Sequence, residues 1–247
     1  MRDPVAIVAV VAFLISGQAS LAQSSGCSGI VVPGERSMAP VRLMAVGASG
    51  GRVHFVEEAG AGRQGCPSPS PQCQRKAFVV PGDRVLVGVP AGDYVCASYI
   101  SPDARRLKGQ FAETHGLLPL KALLPVRPTE DDAWIGIWQR SSEAEIKISR
   151  AALGRLAVKG EATFGALDAG RRARGAVNSG ELEGEALPVG GGLAIGWQYV
   201  DPIAPFPEGA PDCRARLRLF GHYLVVEDNM QCGGANVTFT GIYVRRK

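Results

Sequence analysis

Six cysteines, at positions 27, 66, 73, 96, 213 and 232, are the residues of this chain best able to do chemistry. A cysteine thiolate can act as a nucleophile or bind zinc, and two thiols can oxidise to a disulfide. The outcome depends on the compartment, because disulfides persist in oxidising surroundings outside the cytoplasm. The compartment in which the chain works therefore decides what the cysteines do.

The first 22 residues have the pattern of a secretory signal peptide. Arg2 supplies a positive n-region, Val5 to Ile15 is an apolar run of eleven residues, and Ser20 to Ala22 has the small-residue cleavage pattern. Eleven apolar residues are too few for a membrane-spanning helix, which needs about 20. We therefore expect residues 1–22 to be removed, and the mature protein to be periplasmic or secreted without stable membrane insertion.

An even number of cysteines in an exported chain favours disulfides. Cys213 and Cys232 lie far from the other four in the sequence and are expected to pair within a C-terminal domain. Cys66 and Cys73 enclose only a short proline-rich loop that their closure would pin.

This arrangement leaves Cys27 to pair with Cys96, although the sequence alone leaves the connectivity of the four N-terminal cysteines open. An alternative makes Cys27 the acylated cysteine of a bacterial lipoprotein. Against it, Ser24-Ser25-Gly26 precedes Cys27 where an aliphatic residue is needed, and an odd number of cysteines would remain. Disulfide formation is the favoured prediction.

Little in the sequence supports a catalytic function. The three histidines, His54, His115 and His222, are isolated in the sequence, and none lies in a His-Glu-x-x-His or Gly-x-Ser-x-Gly context. Oxidised cysteines would serve neither as nucleophiles nor as zinc ligands. We therefore expect no enzymatic activity, no cofactor and no metal site.

Two charged patterns have simple structural interpretations. Arg214, Arg216 and Arg218 alternate with apolar residues, which predicts the outward, solvated face of an amphipathic strand rather than an anion-binding stripe. The segment from Asp228 to Asn236 is rich in Asp, Asn and Gly, which predicts a tight β connection in preference to a calcium loop.

A further charged pattern surrounds Asn178-Ser179-Gly180, which is predicted to be a turn. A hairpin there would set Arg172 and Arg174 opposite Glu183 and Glu185 as exposed cross-strand pairs. A catalytic pair of glutamates is the alternative, but nothing in the sequence indicates that either is buried.

The fold class is predicted to be all-β, because short alternating segments are separated by Gly and Pro turns without a long helical periodicity. The proline-rich acidic stretch 125–132 predicts a linker between two domains, 23–127 and 128–247. The first domain carries 12 basic and 7 acidic residues, against 14 and 15 in the second. This excess is too dispersed to predict nucleic-acid binding, but it suits an anionic envelope surface.

The region 45–125 resembles bacterial SH3-like barrels. The resemblance rests on five or so short strands, the Pro81-Gly82-Asp83 turn and a closing Gly116-Leu-Leu-Pro119 segment followed by Ala-Leu-Leu. The first two strands, 42–46 and 52–56, are predicted to form a hairpin. The resemblance implies an envelope-associated binding module, in many bacterial cases for cell-wall material. The aromatic pair of eukaryotic peptide grooves is not evident, so proline-rich peptide binding does not carry over.

Seven to nine strands are predicted between residues 134 and 246, the number that closes an antiparallel barrel. Gly136-Ile137-Trp138 near the first strand, with Arg245 and Arg246 at the end of the last, resembles the lipocalin and calycin pattern. That resemblance implies a barrel floor plugged by Trp138 beneath an arginine, a cation–π contact worth about 0.5–2 kcal/mol. Any ligand site would then lie at the opposite mouth.

The sequence thus predicts a non-catalytic binding protein of the bacterial envelope. It would engage cell-wall material or an exported protein partner, and its C-terminal barrel is a candidate small-molecule site. The alternative function is inhibition of an exported hydrolase such as a lysozyme, in which a rigid loop blocks the enzyme's cleft. The oligomeric state is left open.

Overall fold

The computed structural model describes residues 27, 29–31, 40–48, 51–60, 63–100, 113–126, 134–196, 206–207 and 209–246. The predicted signal peptide and residues 127–132 of the predicted linker lie outside these ranges. Two antiparallel sheets make up the described chain, so the all-β prediction is confirmed. Its described helices include none with the length and apolarity to cross a membrane.

The first sheet has seven strands in the order β3-β2-β6-β5-β4-β1-β7. They are β1 (Arg42–Val46), β2 (Val53–Val56), β3 (Gln74–Val79), β4 (Arg84–Ala91), β5 (Tyr94–Ile100), β6 (Glu113–Pro119) and β7 (Leu123–Pro125). Short 3-10 helices at Pro71–Cys73 and Leu120–Ala122 precede β3 and β7. A buried cluster that includes Phe55, Val85 and Leu118 fills the space enclosed by this sheet.

The predicted β1–β2 hairpin is wrong. β1 pairs with β4 and β7, whereas β2 pairs with β3 and β6. The amide of Val46 donates to the Asp83 carbonyl (2.8 Å), and the amide of Gly82 donates to the Val46 carbonyl (3.0 Å). β1 is thus tied to the Pro81–Gly82 turn. Because β4 and β7 occupy both of its edges, β2 cannot pair with it.

The second sheet has eight strands in the order β11-β10-β9-β8-β15-β14-β13-β12. They are β8 (Gly136–Ser141), β9 (Ala144–Arg150), β10 (Leu156–Phe164), β11 (Asn178–Ala186), β12 (Gly192–Ile195), β13 (Ala215–Phe220), β14 (Tyr223–Asp228) and β15 (Gly241–Arg245). The first and last strands of this unit, β8 and β15, are paired, and the sheet curls into a nearly closed barrel.

Two glycines of the barrel allow neighbouring side chains to pack directly against the backbone. A Cβ atom on Gly160 would lie 2.8 Å from Cε1 of Phe239, and one on Gly184 would lie 2.8 Å from Cγ2 of Ile195. The second contact joins β11 to β12, the two strands at the ends of the sheet order. Large side chains fill the interior, among them Trp138, Ile146, Phe239 and Tyr243.

One helix and one long strand replace the predicted hairpin around residue 179. Helix α1 (Ala169–Ala173) is capped by Asp168, which accepts a hydrogen bond from the Arg171 amide. β11 then runs straight through Asn178-Ser179-Gly180 and pairs with β10. The expected Arg172 and Arg174 pairs with Glu183 and Glu185 are therefore wrong.

The glutamates of β11 instead face residues of β10 and of the turn that precedes it. Glu183 forms an ion pair with Lys159 (2.9 Å), and Glu185 forms one with Arg155 (3.7 Å). All four side chains are substantially exposed. They are surface pairs that help set the strand register, and neither glutamate is buried.

The two sheets share a buried apolar interface. All six residues of β14 are buried, because one face of this strand packs on the barrel core and the other faces the first sheet. Tyr223 and Val225 on that second face join Leu86 and Ile100 in one cluster. The Tyr223 hydroxyl donates a hydrogen bond to the Arg84 carbonyl (2.9 Å), and the Ile100 carbonyl lies 3.4 Å from the same hydroxyl.

The cysteines form three disulfides, Cys27–Cys96, Cys66–Cys73 and Cys213–Cys232. These are the pairs favoured from the sequence. The Cys27 sulfur is bonded to Cys96, so it is not available for the acylation considered above.

Candidate functional site

A cleft of about 550 Å³ lies between the two sheets. The first sheet contributes Ile100, at the end of β5, and Glu113 and His115, at the start of β6. The barrel contributes the β8–β9 turn, the end of β10 and the loop before β15. This is the barrel end opposite the start of β8.

Glu143, in the β8–β9 turn, is held in a defined position. Its Oε1 atom accepts hydrogen bonds from the Ala166 amide (2.6 Å) and from the Thr163 hydroxyl (3.3 Å). Its own amide donates to Ser141 Oγ (3.1 Å), and the Thr163 amide donates to the Glu143 carbonyl (2.8 Å). Among the residues that the structure describes, none forms a hydrogen bond with Oε2.

Arg140 fixes the barrel wall of the cleft. Its guanidinium donates to the carbonyls of Thr238 (2.8 Å) and Thr240, and lies 5.8 Å from the centre of the Tyr243 ring. These contacts occupy the arginine with main-chain acceptors. Its role is to hold the loop that carries Asn236, another residue of the cleft.

The groups that face the cleft suit a polar ligand. They offer two carboxylates, an imidazole, two hydroxyls and an amide, together with the ring of Phe164. Glu113 and Glu143 carry negative charges at the cleft, and Arg140 and Arg171, whose guanidinium carbon lies 4.7 Å from the centre of the Phe164 ring, carry positive ones.

The sequence does not predict this cleft. In the sequence His115 is an isolated histidine and Asn236 belongs to a turn segment, and no motif includes Glu143 or Thr163. They come from four separate segments, and only the pairing of β9 with β10 and the docking of the sheets bring them together. A pattern within one segment carries no signal of this arrangement.

The histidines have separate surroundings. His54 Nδ1 is 2.8 Å from the Arg75 carbonyl, and the His222 ring contacts the Tyr223 ring at a tilt of 43°, with 3.9 Å between the ring centres. Burial, with a smaller contribution from the positive charge of Arg84, lowers the pKa of His222. In the described part of the chain, no histidine hydrogen-bonds a serine or cysteine, and no cluster of three metal-binding side chains occurs.

The arginines of the stripe are covered to different degrees, contrary to the predicted solvated face: Arg214, just before β13, and Arg218 are half-buried. Arg216 is fully buried, forms a 2.9 Å ion pair with buried Glu227 of β14, and lies 4.0 Å from the ring centre of Phe206. Burial lowers the pKa values of both Arg216 and Arg218. The alternation correctly placed these arginines outside the barrel, but it carried no information about what covers that face.

Asp228 organises the connection that follows β14. Its carboxylate accepts hydrogen bonds from the hydroxyls of Thr238 and Thr240, each at 2.6 Å, and from the Phe239 amide at 3.1 Å. The carboxylate is therefore occupied by donors of the chain itself. This agrees with the structural connection that the sequence predicted.

The predicted floor residues lie together at the start of β8. Trp138 is fully buried, and the Arg245 guanidinium carbon lies 5.1 Å from its ring centre. Gly136 has a φ of +142°, and a Cβ there would lie 3.4 Å from Arg245 Nε. Arg246 instead forms an exposed ion pair with Glu145 (3.1 Å).

Comparison of the chain with protein-family models, with curated proteins and with solved structures finds no match.

Proposed function

We propose that this protein is a non-catalytic binding protein of the bacterial envelope that holds a cell-wall fragment in the cleft between its sheets. The observation that carries the proposal is the 550 Å³ cleft lined mainly by polar side chains on two docked units. Peptidoglycan fragments offer hydroxyl and amide groups that match those side chains. The three disulfides are typical of proteins from an oxidising compartment such as the periplasm.

The barrel interior is a less suitable site for the ligand. Trp138, Phe239 and Tyr243 are each fully buried there and leave the centre occupied by side chains. We therefore place the ligand outside the barrel, at the end remote from Trp138.

We propose further that the first sheet is SH3-like and that the barrel is lipocalin-like. The order of the strands supports both resemblances. The run β7-β1-β4-β5-β6, with a 3-10 helix before β7, is consistent with an SH3-like unit. The up-and-down order of β8 to β15, with the first strand beside the last, is consistent with a lipocalin-like barrel.

Co-sedimentation with purified peptidoglycan tests the proposal. The wild-type protein should sediment with the polymer, and Glu143→Gln combined with Thr163→Ala should weaken binding, because two cleft groups change. Glu161→Gln is the matched control, since Glu161 is an exposed residue of β10. Failure of the wild type to sediment, or equal binding by the cleft variant, would reject the proposal.

Inhibition of an exported hydrolase is the second candidate, and the loop closed by Cys66–Cys73 favours it. Pro69, Pro71 and Gln72 of this loop are exposed, and the disulfide at its base packs beside Tyr94. A rigid, exposed loop can enter the cleft of an enzyme with little loss of conformational entropy. A lysozyme pull-down that retains the wild type but not Gln72→Ala would favour this function.

A further inference from the structure

One buried hydroxyl group lies close to the cleft without a hydrogen-bond partner. Ser98, in β5, is 1% exposed, and its Oγ atom forms no hydrogen bond with any residue that the structure describes. Its chain neighbours Ala97 and Tyr99 pack in the core of the first sheet. Ser98 alternates with them and therefore points towards the barrel, as do Cys96 and Ile100, which belong to the cluster shared by the two sheets.

The two strands beside Ser98 offer it one side chain that can form a hydrogen bond. Its register neighbours are Leu86 on β4 and His115 on β6. Directly opposite residues of an antiparallel pair lie on the same face, with Cβ atoms about 4.5–5.5 Å apart. The leucine has no polar group, whereas an imidazole nitrogen can accept or donate. Because His115 also lines the cleft, it adjoins both the buried hydroxyl and the space that a ligand would occupy.

The main chain at His115 is held in place, so its side chain is the part that can move. The His115 carbonyl accepts a hydrogen bond from Arg75 Nη1 (2.6 Å). A Cβ atom on the next residue, Gly116, would lie 3.2 Å from Cδ1 of Phe55, so the strand packs closely on the core of the first sheet. The half-buried His115 side chain can change its rotamer without a change in the strand, as interface side chains commonly do on binding.

We propose that ligand binding turns the His115 ring so that Ser98 donates a hydrogen bond to one ring nitrogen, while the other nitrogen donates to an amide carbonyl of the ligand. The hydroxyl acts as the donor because none of the described residues otherwise accepts its proton. In a neutral imidazole, when one nitrogen accepts, the other carries the proton. Ser98 is itself too buried to touch the ligand, so it is a positioning residue. The inference rests on the proposed function and names the ligand group that the cleft recognises.

Calorimetric titration of the full chain with a muropeptide, an N-acetylated disaccharide that carries a stem peptide, tests this role. Ser98→Ala should weaken binding about three- to tenfold, as expected for one hydrogen bond. It should nevertheless melt no lower than the wild type, because the hydroxyl that it removes has no partner in the fold. In a His115→Ala background, Ser98→Ala should have no further effect on affinity, since both residues act through one contact.

Ser149→Ala is the matched control, because Ser149 is a half-buried strand serine, in β9, that does not line the cleft. It should bind the muropeptide like the wild type. Two smaller probes identify the carbonyl. A Ser98→Ala effect that persists with the peptide-free disaccharide assigns the contact to an acetamido group, and one that persists with the free stem peptide assigns it to a peptide bond.

Three results would overturn the inference and leave the proposed function standing. These are equal muropeptide affinity of the wild type and Ser98→Ala, additive losses from Ser98→Ala and His115→Ala, and a Ser98→Ala variant that melts well below the wild type, because its hydroxyl would then serve the fold. A wild type that binds no muropeptide would instead reject the proposed function, and this inference with it.

Discussion

Arg245 and Trp138 are register partners across the β15–β8 pair, and the guanidinium carbon of Arg245 lies 5.1 Å from the centre of the Trp138 ring. These residues are separated by more than 100 positions in the chain. Their contact links the first strand of the barrel to its last. It stands where the main-chain pairing between the first and last strands of the barrel is short, since two register pairs join β8 to β15.

Replacement of Trp138 by alanine should destabilise the protein by about 3–5 kcal/mol, because a fully buried indole is lost from the barrel. Arg245→Ala should cost less, about 0.5–2 kcal/mol, since the cation–π contact and the stem packing are lost but the core stays filled. Urea unfolding of both variants provides the measurement. A larger effect for Arg245→Ala than for Trp138→Ala would contradict this ranking.

Local patterns predicted the strands well but their partners poorly. Alternation located β13 and β14, because period-two burial is a property of the strand itself. It did not predict that Arg216 is covered, or that β1 pairs with β4 and not with β2, because both depend on distant segments. The separation of Cys213 and Cys232 from the other cysteines was sufficient to indicate their pairing.

The buried Arg216–Glu227 pair should be sensitive to loss of one partner. Glu227→Gln leaves a buried guanidinium without its counter-charge and should cost about 3–5 kcal/mol. Glu183→Gln is the control: it removes the exposed partner of Lys159 and should change stability little. The measurement is the midpoint of chemical unfolding of each variant. Equal midpoints would show that the buried pair contributes no more to the free energy of unfolding than the exposed pair does.

His222 should make the protein less stable in acid. Its pKa in the folded protein is lowered from the usual 6.5, so below that pH the unfolded chain binds the proton more readily. The free energy of unfolding should therefore fall as the pH drops from about 6.5 towards the lowered pKa, and should be independent of His222 above this window. Melting temperatures at pH 7.5 and 5.0 should differ less in His222→Gln than in the wild type. An identical difference in both proteins would argue against this role.

Cleavage between Pro125 and Asp132 should produce two fragments that each fold, because each sheet has its own buried core and its own disulfides. The fragments should also remain associated through the shared cluster, and Val225→Asp should separate them. Limited proteolysis, gel filtration and melting of each fragment form the test. Fragments that fail to melt cooperatively would indicate one continuous domain.

The most direct test of the cleft as the binding site is an NMR titration of the labelled protein with soluble peptidoglycan fragments. Amide shifts should concentrate at His115, Glu143, Thr163 and Asn236, and Glu143→Gln should weaken the response. Shifts confined to the loop between Cys66 and Cys73, or no shifts at all, would contradict it.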